Sequence, residues 1–569
     1  MDAGHTLGIW DGHDAGAALL DGGRVLFAVN EERLSRRKLD VGFPILSIEA
    51  CLAFAGLTPG EVTRIAACTS DPAKTLTRLV PGLKEEYYLI RRRKKRPGRL
   101  DSLKRRFKYR FTELPPNRLT RALSLTHLCR SLRAAGFDGF RLRLVDHHEA
   151  HARAAAFFSG FGACLVLTLD GLGDGLCGSV WRYEGGRLNR VAALRAAASL
   201  GVFFEHVTNL MNMRELEDEG KVMALANYAY PVPDAENPLM WLLRVRGLRL
   251  VTPFSVNRLH TELKKILWQY PSEQFAFMAQ RAVERNVIQL VRNALARTGL
   301  SRVAVAGGLF SNIKVNMRIQ EMDEVKRLFV FPHMGDGGLA LGAALHEEGP
   351  GPGRLKHLYL GPGATKAEMD SALERSGLPF RRIEDPAGEA ARRMLAGEII
   401  LWHQGRMEYG PRALGNRSIL ARPDDRTVKD RLNLSLKKRV WYQPFCPSML
   451  AEDAEALLEL PEGAQENTPF MTSSFRVRPE HREGMAGVTN IDGTCRPHFV
   501  GNENPRFREL LVHVKEALGR GVVLNTSLNI HGDPMVCSPE DALSTLLRTG
   551  VRSLFLEDCL IENPRAQAL

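Results

Sequence analysis

Apolar and polar positions alternate in short bursts over the first thirty residues. Thr6-Leu-Gly-Ile-Trp10, Ala17-Ala-Leu-Leu20 and Val25-Leu-Phe-Ala-Val29 are separated by Asp/Gly turns, a strand–turn–strand–turn–strand pattern. The plan returns over residues 163–195, as Ala163–Asp170, the turn Gly171-Leu-Gly-Asp-Gly175, Gly178–Tyr183, the turn Glu184-Gly-Gly-Arg187, and Val191–Leu194. Such a repeat predicts a duplicated α/β domain, in which the two Asp/Gly turns can face each other across a cleft. Apolar spacing near 3.6 predicts a helix over Glu273–Thr298. Val303–Gly308 reads as a buried strand running into a glycine turn, Leu328–Pro332 as another strand, and Gly338–His346 as the start of a helix. Gly349-Pro-Gly-Pro-Gly353 marks a boundary, giving domains 1–353 and 354–569. Beyond it, Ile399–His403, Gly521–Asn525 and Ser553–Leu556 predict strands among helices, hence a second α/β domain.

Composition narrows the class. The 569 residues are 44% hydrophobic and 25% charged, as expected of a globular protein. No apolar run reaches the roughly 18 residues of a membrane span. The start lacks the basic and apolar regions of a signal peptide, and nine cysteines are scattered without paired spacing. The expectation is a cytoplasmic protein with no membrane partner. The net charge of +13 draws heavily on residues 91–110, RRRKKRPGRLDSLKRRFKYR. This stretch carries little aromatic interleaving for base stacking, so it reads as a solvated helical insertion, or a lid attracting phosphorylated substrates, rather than a nucleic-acid surface.

Candidate chemistry lies in the turns. His147 and His151 are one helical turn apart, about 6 Å at Cβ, and can hold one metal. Asp336, in Gly335-Asp-Gly-Gly338, can complete a two-His, one-carboxylate site with open positions. Four glycine-rich turns, Asp11–Gly16, Asp170–Gly175, Gly307-Gly308 and Gly335–Gly338, offer backbone N–H groups to a nucleotide. His13, in the first turn, is a general base for an alcohol or a turn histidine capping the backbone. Lys221 in Glu219-Gly-Lys221 stands beside a bound anion or ends a charged helix. In the second domain, Gly405–Ser418 packs three Arg and three Gly into fourteen residues, and Lys437-Lys-Arg439, Arg496 and Asn525-Thr-Ser527 follow. Glycine-flanked arginines point to an oxyanion or phosphate site.

Taken together, these segments resemble the O-carbamoyltransferase family that includes the tobramycin, cephamycin and nodulation-factor enzymes. The markers are Gly8-Ile-x-x-x-His13-Asp-Ala, Glu31-Glu-Arg33-x-Ser35-Arg36, His147-His-Glu-Ala-His151-Ala, Glu219-Gly-Lys221-Val-Met-Ala-Leu-Ala, Ala306-Gly-Gly-x-x-x-Asn312, Gly335-Asp336-x-Gly338, Gly405–Ser418 and Asn525–Gly532. The resemblance implies a duplicated actin-like (ASKHA) domain followed by a YrdC-like α/β domain. It implies that the second domain forms carbamoyl-adenylate from carbamoyl phosphate and ATP with Mg. The first domain then passes the carbamoyl group to a hydroxyl of a small specialised metabolite. It implies His13 as the catalytic residue, and Fe(II) or another divalent metal on His147, His151 and Asp336. Adenylate contacts would fall on Lys38, Lys221, Gly307, Gly308 and Asn312. Carbamoyl phosphate and ATP contacts would fall on Arg412, Arg417, Lys437, Arg439, Arg496, Asn525 and Ser527. A homodimer is the implied assembly.

The chain departs from the family pattern where Val440 replaces a carboxylate and Gln443 an arginine. Loss of a charge-assisted contact of about 1.5–3 kcal/mol bears on the first half-reaction and its donor. Two alternatives stand beside the main reading, the first suggested by tRNA-modifying relatives and the basic stretch, the second by Val440 and Gln443. One is N-carbamoyl or tRNA-directed transfer, and the other is a nucleotide-binding protein with impaired turnover.

Overall fold

The computed structural model describes residues 4–96, 98, 110–349 and 353–566. It divides into two compact units, one of Met1–Glu31 and Leu39–Leu355, the other of Glu32–Lys38 and Lys356–Leu569.

The first unit is built from two five-stranded sheets. The first contains β1 (Thr6–Trp10), β2 (Gly16–Asp21), β3 (Arg24–Asn30), β4 (Arg64–Cys68) and β5 (Arg141–Val145), in the order β3-β2-β1-β4-β5. The second contains β6 (Ala163–Gly173), β7 (Leu176–Glu184) and β8 (Arg187–Arg195). After the small hairpin β9 (Arg244–Arg246) and β10 (Arg249–Val251), it is completed by β11 (Arg302–Ala306) and β12 (Arg327–Val330). Its order is β8-β7-β6-β11-β12. In each sheet the first three strands form an antiparallel meander and the last two join in parallel. The duplication expected from the repeated turns is therefore a repeated topology, and the first unit is an actin-like α/β fold. The parallel strands read as unbroken apolar runs, Ile65–Cys68 and Val303–Ala306, because helices cover both faces. The helix His147–Phe158 starts on Asp146, whose carboxylate accepts the Glu149 N–H at 2.9 Å. Its alanines let the helix Leu339–Glu348 pack against it.

The second unit centres on an eight-stranded mixed sheet. Its strands are β13 (Phe380–Arg382), β14 (Ile400–His403), β15 (Arg417–Ala421), β16 (Cys446–Leu450), β20 (His498–Val500), β21 (Val522–Ser527), β22 (Ser553–Leu556) and β23 (Cys559–Glu562). They run in the order β13-β23-β22-β14-β15-β21-β16-β20. The remaining strands, β17 (Leu458–Glu459), β18 (Phe475–Val477) and β19 (Thr494–Cys495), form a small separate sheet. Successive side chains feed opposite cores. Leu401, Ile419, Leu524 and Leu554 enter one cluster, and Ile400, Leu420, Val523 and Phe555 the other.

Residues 32–38 join the second unit through specific contacts. Arg33 donates to Gly410 O at 3.0 Å, Arg36 donates to Met535 O at 2.7 Å and Pro534 O at 3.1 Å, and Leu34 packs on Met407 and Met535. Lys38, expected with the first domain, therefore belongs to the second unit. Among the described residues no helix is long and apolar enough to cross a membrane. Most of the basic stretch, residues 97 and 99–109, lies outside the described residues.

Candidate functional site

The first unit holds an open cavity of about 130 Å³, lined by both Asp/Gly turns. His13 comes from the turn after β1, and Asp170 and Gly171 from the end of β6. His147 and His151 come from one helix face, and Asp336 from the 3₁₀ turn that opens the helix Leu339–Glu348. The Nε2 atoms of His147 and His151 lie 3.3 and 3.2 Å from Asp170 Oδ2, and both lie 3.7 Å from Asp336 Oδ1. Four potential ligand atoms thus lie within 4.8 Å of one another. His147 Nδ1 is 3.1 Å from Thr69 Oγ1, which leaves Nε2 as its inward-facing atom. Two imidazoles and two carboxylates converging in a buried pocket suit a divalent metal.

The electrostatics follow from that crowding. Burial, and then the neighbouring Asp170, hold the Asp336 carboxyl well above the usual carboxylate range. Asp170 moves the other way: burial opposes ionisation, but hydrogen bonds from His147 and His151 outweigh it. Burial works against a charged His147, yet Asp336 and Asp170 keep its pKa raised. Gly173 makes the arrangement possible, because a Cβ there would lie 2.3 Å from the His147 ring.

His13 is held beside this cluster. Its Nδ1 is 3.4 Å from Asp336 Oδ2 and 3.2 Å from Tyr88 Oη, and its carbonyl accepts the Trp10 indole N–H at 2.8 Å. Tyr88 lies on the helix Pro81–Arg91, which also brings Tyr87 and Arg91 to the cavity. Arg91 and Arg92, the start of the basic stretch, are neutralised by Glu205 and Glu215, and by Glu217.

Of the predicted adenylate contacts, Gly307 and Gly308 abut the end of β6. Gly307 has φ +104°, and a side chain there would collide with Leu169 O at 2.1 Å. A Cβ on Gly308 would lie 2.9 Å from Asp170 Oδ1. Lys221 is paired with Asp218 at 2.7 Å. Asn312 caps the helix Ile313–Gln320 and exchanges hydrogen bonds of 2.7 and 3.1 Å with Gln280, so its amide is committed within the fold.

In the second unit a different site forms. Arg412, Arg439 and Arg496 gather near Cys446. Arg496 Nε donates to its Sγ at 3.1 Å, Arg439 stacks over Phe445, and Arg412 and Arg439 each feel the charge of Arg496. Among the described residues none of the three has a carboxylate partner, and Arg412 Nε and Arg439 Nη2 are buried without a hydrogen-bond acceptor. Burial, then Arg496, push Arg412 down to about 9, and burial is the main cause that brings Arg439 to about 10. Both stay charged at neutral pH, so the pocket is poised for an anion. Asn525, 1% exposed, donates to Ala413 O and Ser448 Oγ and leaves its Oδ1 unpaired; Gln443 Oε1 is likewise buried and unpaired.

Two further residues of the expected anion site, Arg417 and Lys437, hydrogen-bond within the fold. Arg417 is fully buried and donates to the carbonyls of Gln404, Gly405, Asn416 and Cys537 at 2.7–3.3 Å. Its donors hold the glycine-rich turn. Lys437 Nζ donates to Ser527 O and to both oxygens of Asn529, while Ser527 Oγ donates to Asn529 Oδ1 at 2.6 Å.

Comparison with known sequences decides the family. Residues 5–345 match the carbamoyltransferase N-terminus and residues 391–563 the carbamoyltransferase C-terminus. The chain belongs to the carbamoyltransferase family. It is 33% identical to nodulation protein NolNO of Sinorhizobium fredii, over 97% of this chain and 79% of that protein. It is 34% identical to the 3'-hydroxymethylcephem-O-carbamoyltransferase of Streptomyces clavuligerus, over 41% of this chain and 43% of that enzyme. Among solved structures, component A of Acidaminococcus fermentans (R)-2-hydroxyglutaryl-CoA dehydratase aligns with a TM-score of 0.34 and 16% identity, over 60% of this chain and 97% of that one.

This carbamoyltransferase carries site residues that motif reading passed over. Asp170 was visible only as one position of a nucleotide-cradling turn, and nothing in its local sequence marks it as a partner of two histidines. Tyr88 and Lys74 sit in helices without motif character and reach the cavity through packing alone.

Proposed function

We propose that this carbamoyltransferase is an ATP-dependent O-carbamoyltransferase working in two steps. In the second unit, carbamoyl phosphate is hydrolysed to carbamate and phosphate. A carbamate oxygen then attacks the α-phosphate of ATP, giving carbamoyl-adenylate and pyrophosphate. The arginines Arg412, Arg439 and Arg496 bind the anionic reactants, and their unspent donors support that role. In the first unit, the acceptor oxygen bonds to the carbamoyl carbon. The bond from that carbon to the phosphate oxygen breaks, and AMP leaves with the electron pair.

His147, His151, Asp170 and Asp336 would hold a divalent metal, Fe(II) or another ion of similar preference, which when bound supplies Lewis-acid polarisation of a carbonyl or phosphate oxygen. The chain supplies the proton acceptor. With the Nδ1 proton of His13 facing Asp336 and Tyr88, its Nε2 takes the proton of the acceptor hydroxyl. The observation that carries this reading is the convergence of His13, His147, Asp170 and Asp336 in one cavity, with His151 completing the cluster behind them. A hydroxylated small molecule as acceptor is supported by the similarity to a 3'-hydroxymethylcephem-O-carbamoyltransferase.

The test is pyrophosphate release from ATP by the full-length protein, with Mg and without RNA. Release that requires carbamoyl phosphate is expected. No release with carbamoyl phosphate present, or release only when tRNA is added, contradicts the reading.

A further inference from the structure

The transfer cavity contains a buried cation that no motif identifies. Lys74 lies on the helix Pro72–Leu79 and is only 8% exposed, yet it lines the same cavity as His13, His147 and Asp336. Its ammonium sits 4.2 Å above the Trp10 ring and 2.7 Å from Asp11 Oδ1. Asp11 is already engaged by Arg78, one helical turn along, through bonds of 2.8 and 2.9 Å to its two oxygens. Arg78 also donates to the carbonyls of Thr69 and Cys68, so its position is fully determined. One carboxylate therefore answers two cations. Asp11 is the sole polar contact of Lys74 Nζ among the described residues, although an ammonium carries three donors. A buried cation with unspent donors, on a residue that lines a cavity, calls for an anionic ligand.

The rest of the lining says where that anion would go. Asp71, Asp170, Asp336 and Glu205 line the cavity, and the lining residue Arg91 is paired with Glu205 and Glu215. An anionic donor entering this cavity needs a positive counterpart, and Lys74 is placed to be one. We propose that Lys74 binds the phosphate ester of the carbamoyl donor and stabilises it as it departs. The inference rests on the proposed function. The charge of a leaving nucleoside monophosphate grows as the carbamoyl carbon–oxygen bond breaks, and a preorganised ammonium is most effective there.

The experiment compares AMP and adenosine by calorimetric titration of the 569-residue chain in an Arg412→Ala, Arg439→Ala, Arg496→Ala background, which removes the three arginines of the second unit's anion pocket. With Lys74 present, AMP is expected to bind at least tenfold more tightly than adenosine. Lys74→Met should erase that preference while leaving adenosine affinity and metal content unchanged, and Lys74→Arg should restore most of it. Lys74→Gln replaces the Met variant should the latter not fold. An unchanged AMP preference in the Lys74 variants overturns this inference alone. No AMP preference even with Lys74 intact removes the nucleotide cleft from the first unit, and with it both the inference and the transfer step of the proposed function.

Discussion

At the scale of single residues, the cavity depends on contacts between side chains from distant parts of the chain. Asp170 faces both histidines at 3.2–3.3 Å, closer than Asp336 does. Asp170→Asn should weaken divalent-metal binding by at least about tenfold, read by metal analysis after dialysis; full retention would remove Asp170 from the ligand set. Tyr88 touches His13, so Tyr88→Phe should lower kcat of the transfer step by about tenfold with little change in KM for the acceptor. An equal effect on both would point to acceptor binding instead. His13, His147, His151 and Asp336 were legible because each stands in a short glycine- or histidine-rich motif. Asp170, Lys74 and Tyr88 were not, because their neighbourhood is created by packing across long sequence separations. Arg417 and Asn312 show the converse. Their motifs are conspicuous, but a motif does not distinguish a residue that touches a ligand from one that holds a turn or caps a helix.

At the scale of elements, the strands and their terminal turns place the chemistry. Two sheets of the same order put one Asp/Gly turn from each at the cavity, so the repeat in the sequence was a direct reading of the fold. Residues 32–38 were misread because adjacency in sequence suggested the first domain, whereas Arg33, Leu34 and Arg36 find their partners in the second unit. Gly173→Ala should displace His147 and reduce bound metal, while the far-ultraviolet spectrum stays that of the parent; unchanged metal content would mean that β6 relaxes without cost. The helix Glu219–Leu225 adds a pH effect. Burial, and then the nearby Glu205, push its first carboxyl, that of Glu219, up to about 8. The folded state then holds a proton that the unfolded chain releases near pH 4.5. Stability from this group is therefore lost as pH rises from about 4.5 to about 8. Glu219→Gln should flatten that decline in a series of melting curves, and an identical pH dependence would show that Glu219 ionises normally.

At the scale of the whole molecule, two units carry two kinds of chemistry. One offers a histidine beside a metal-type cluster, and the other offers three arginines with no carboxylate partner among the described residues. The family and both α/β units were legible from motifs and strand patterns, and the loss of charge at Val440 and Gln443 was read from the family pattern, but the burial of Gln443 was not. Gln443 adds an unpaired buried atom to the same unit as Asn525, Arg412 and Arg439. The two-step account separates the units functionally. Arg412→Ala should abolish carbamoyl phosphate-dependent pyrophosphate release and still allow transfer from supplied carbamoyl-adenylate. Loss of both activities would argue for one shared site.

The most direct test uses the opposite variant. His13→Asn is assayed with ATP, Mg and carbamoyl phosphate in an extract containing the acceptor, and pyrophosphate and carbamoylated product are measured in the same sample. The account predicts pyrophosphate at the parent rate and a loss of product of at least about a hundredfold. Product formed at the parent rate, or pyrophosphate release lost together with product, would contradict it.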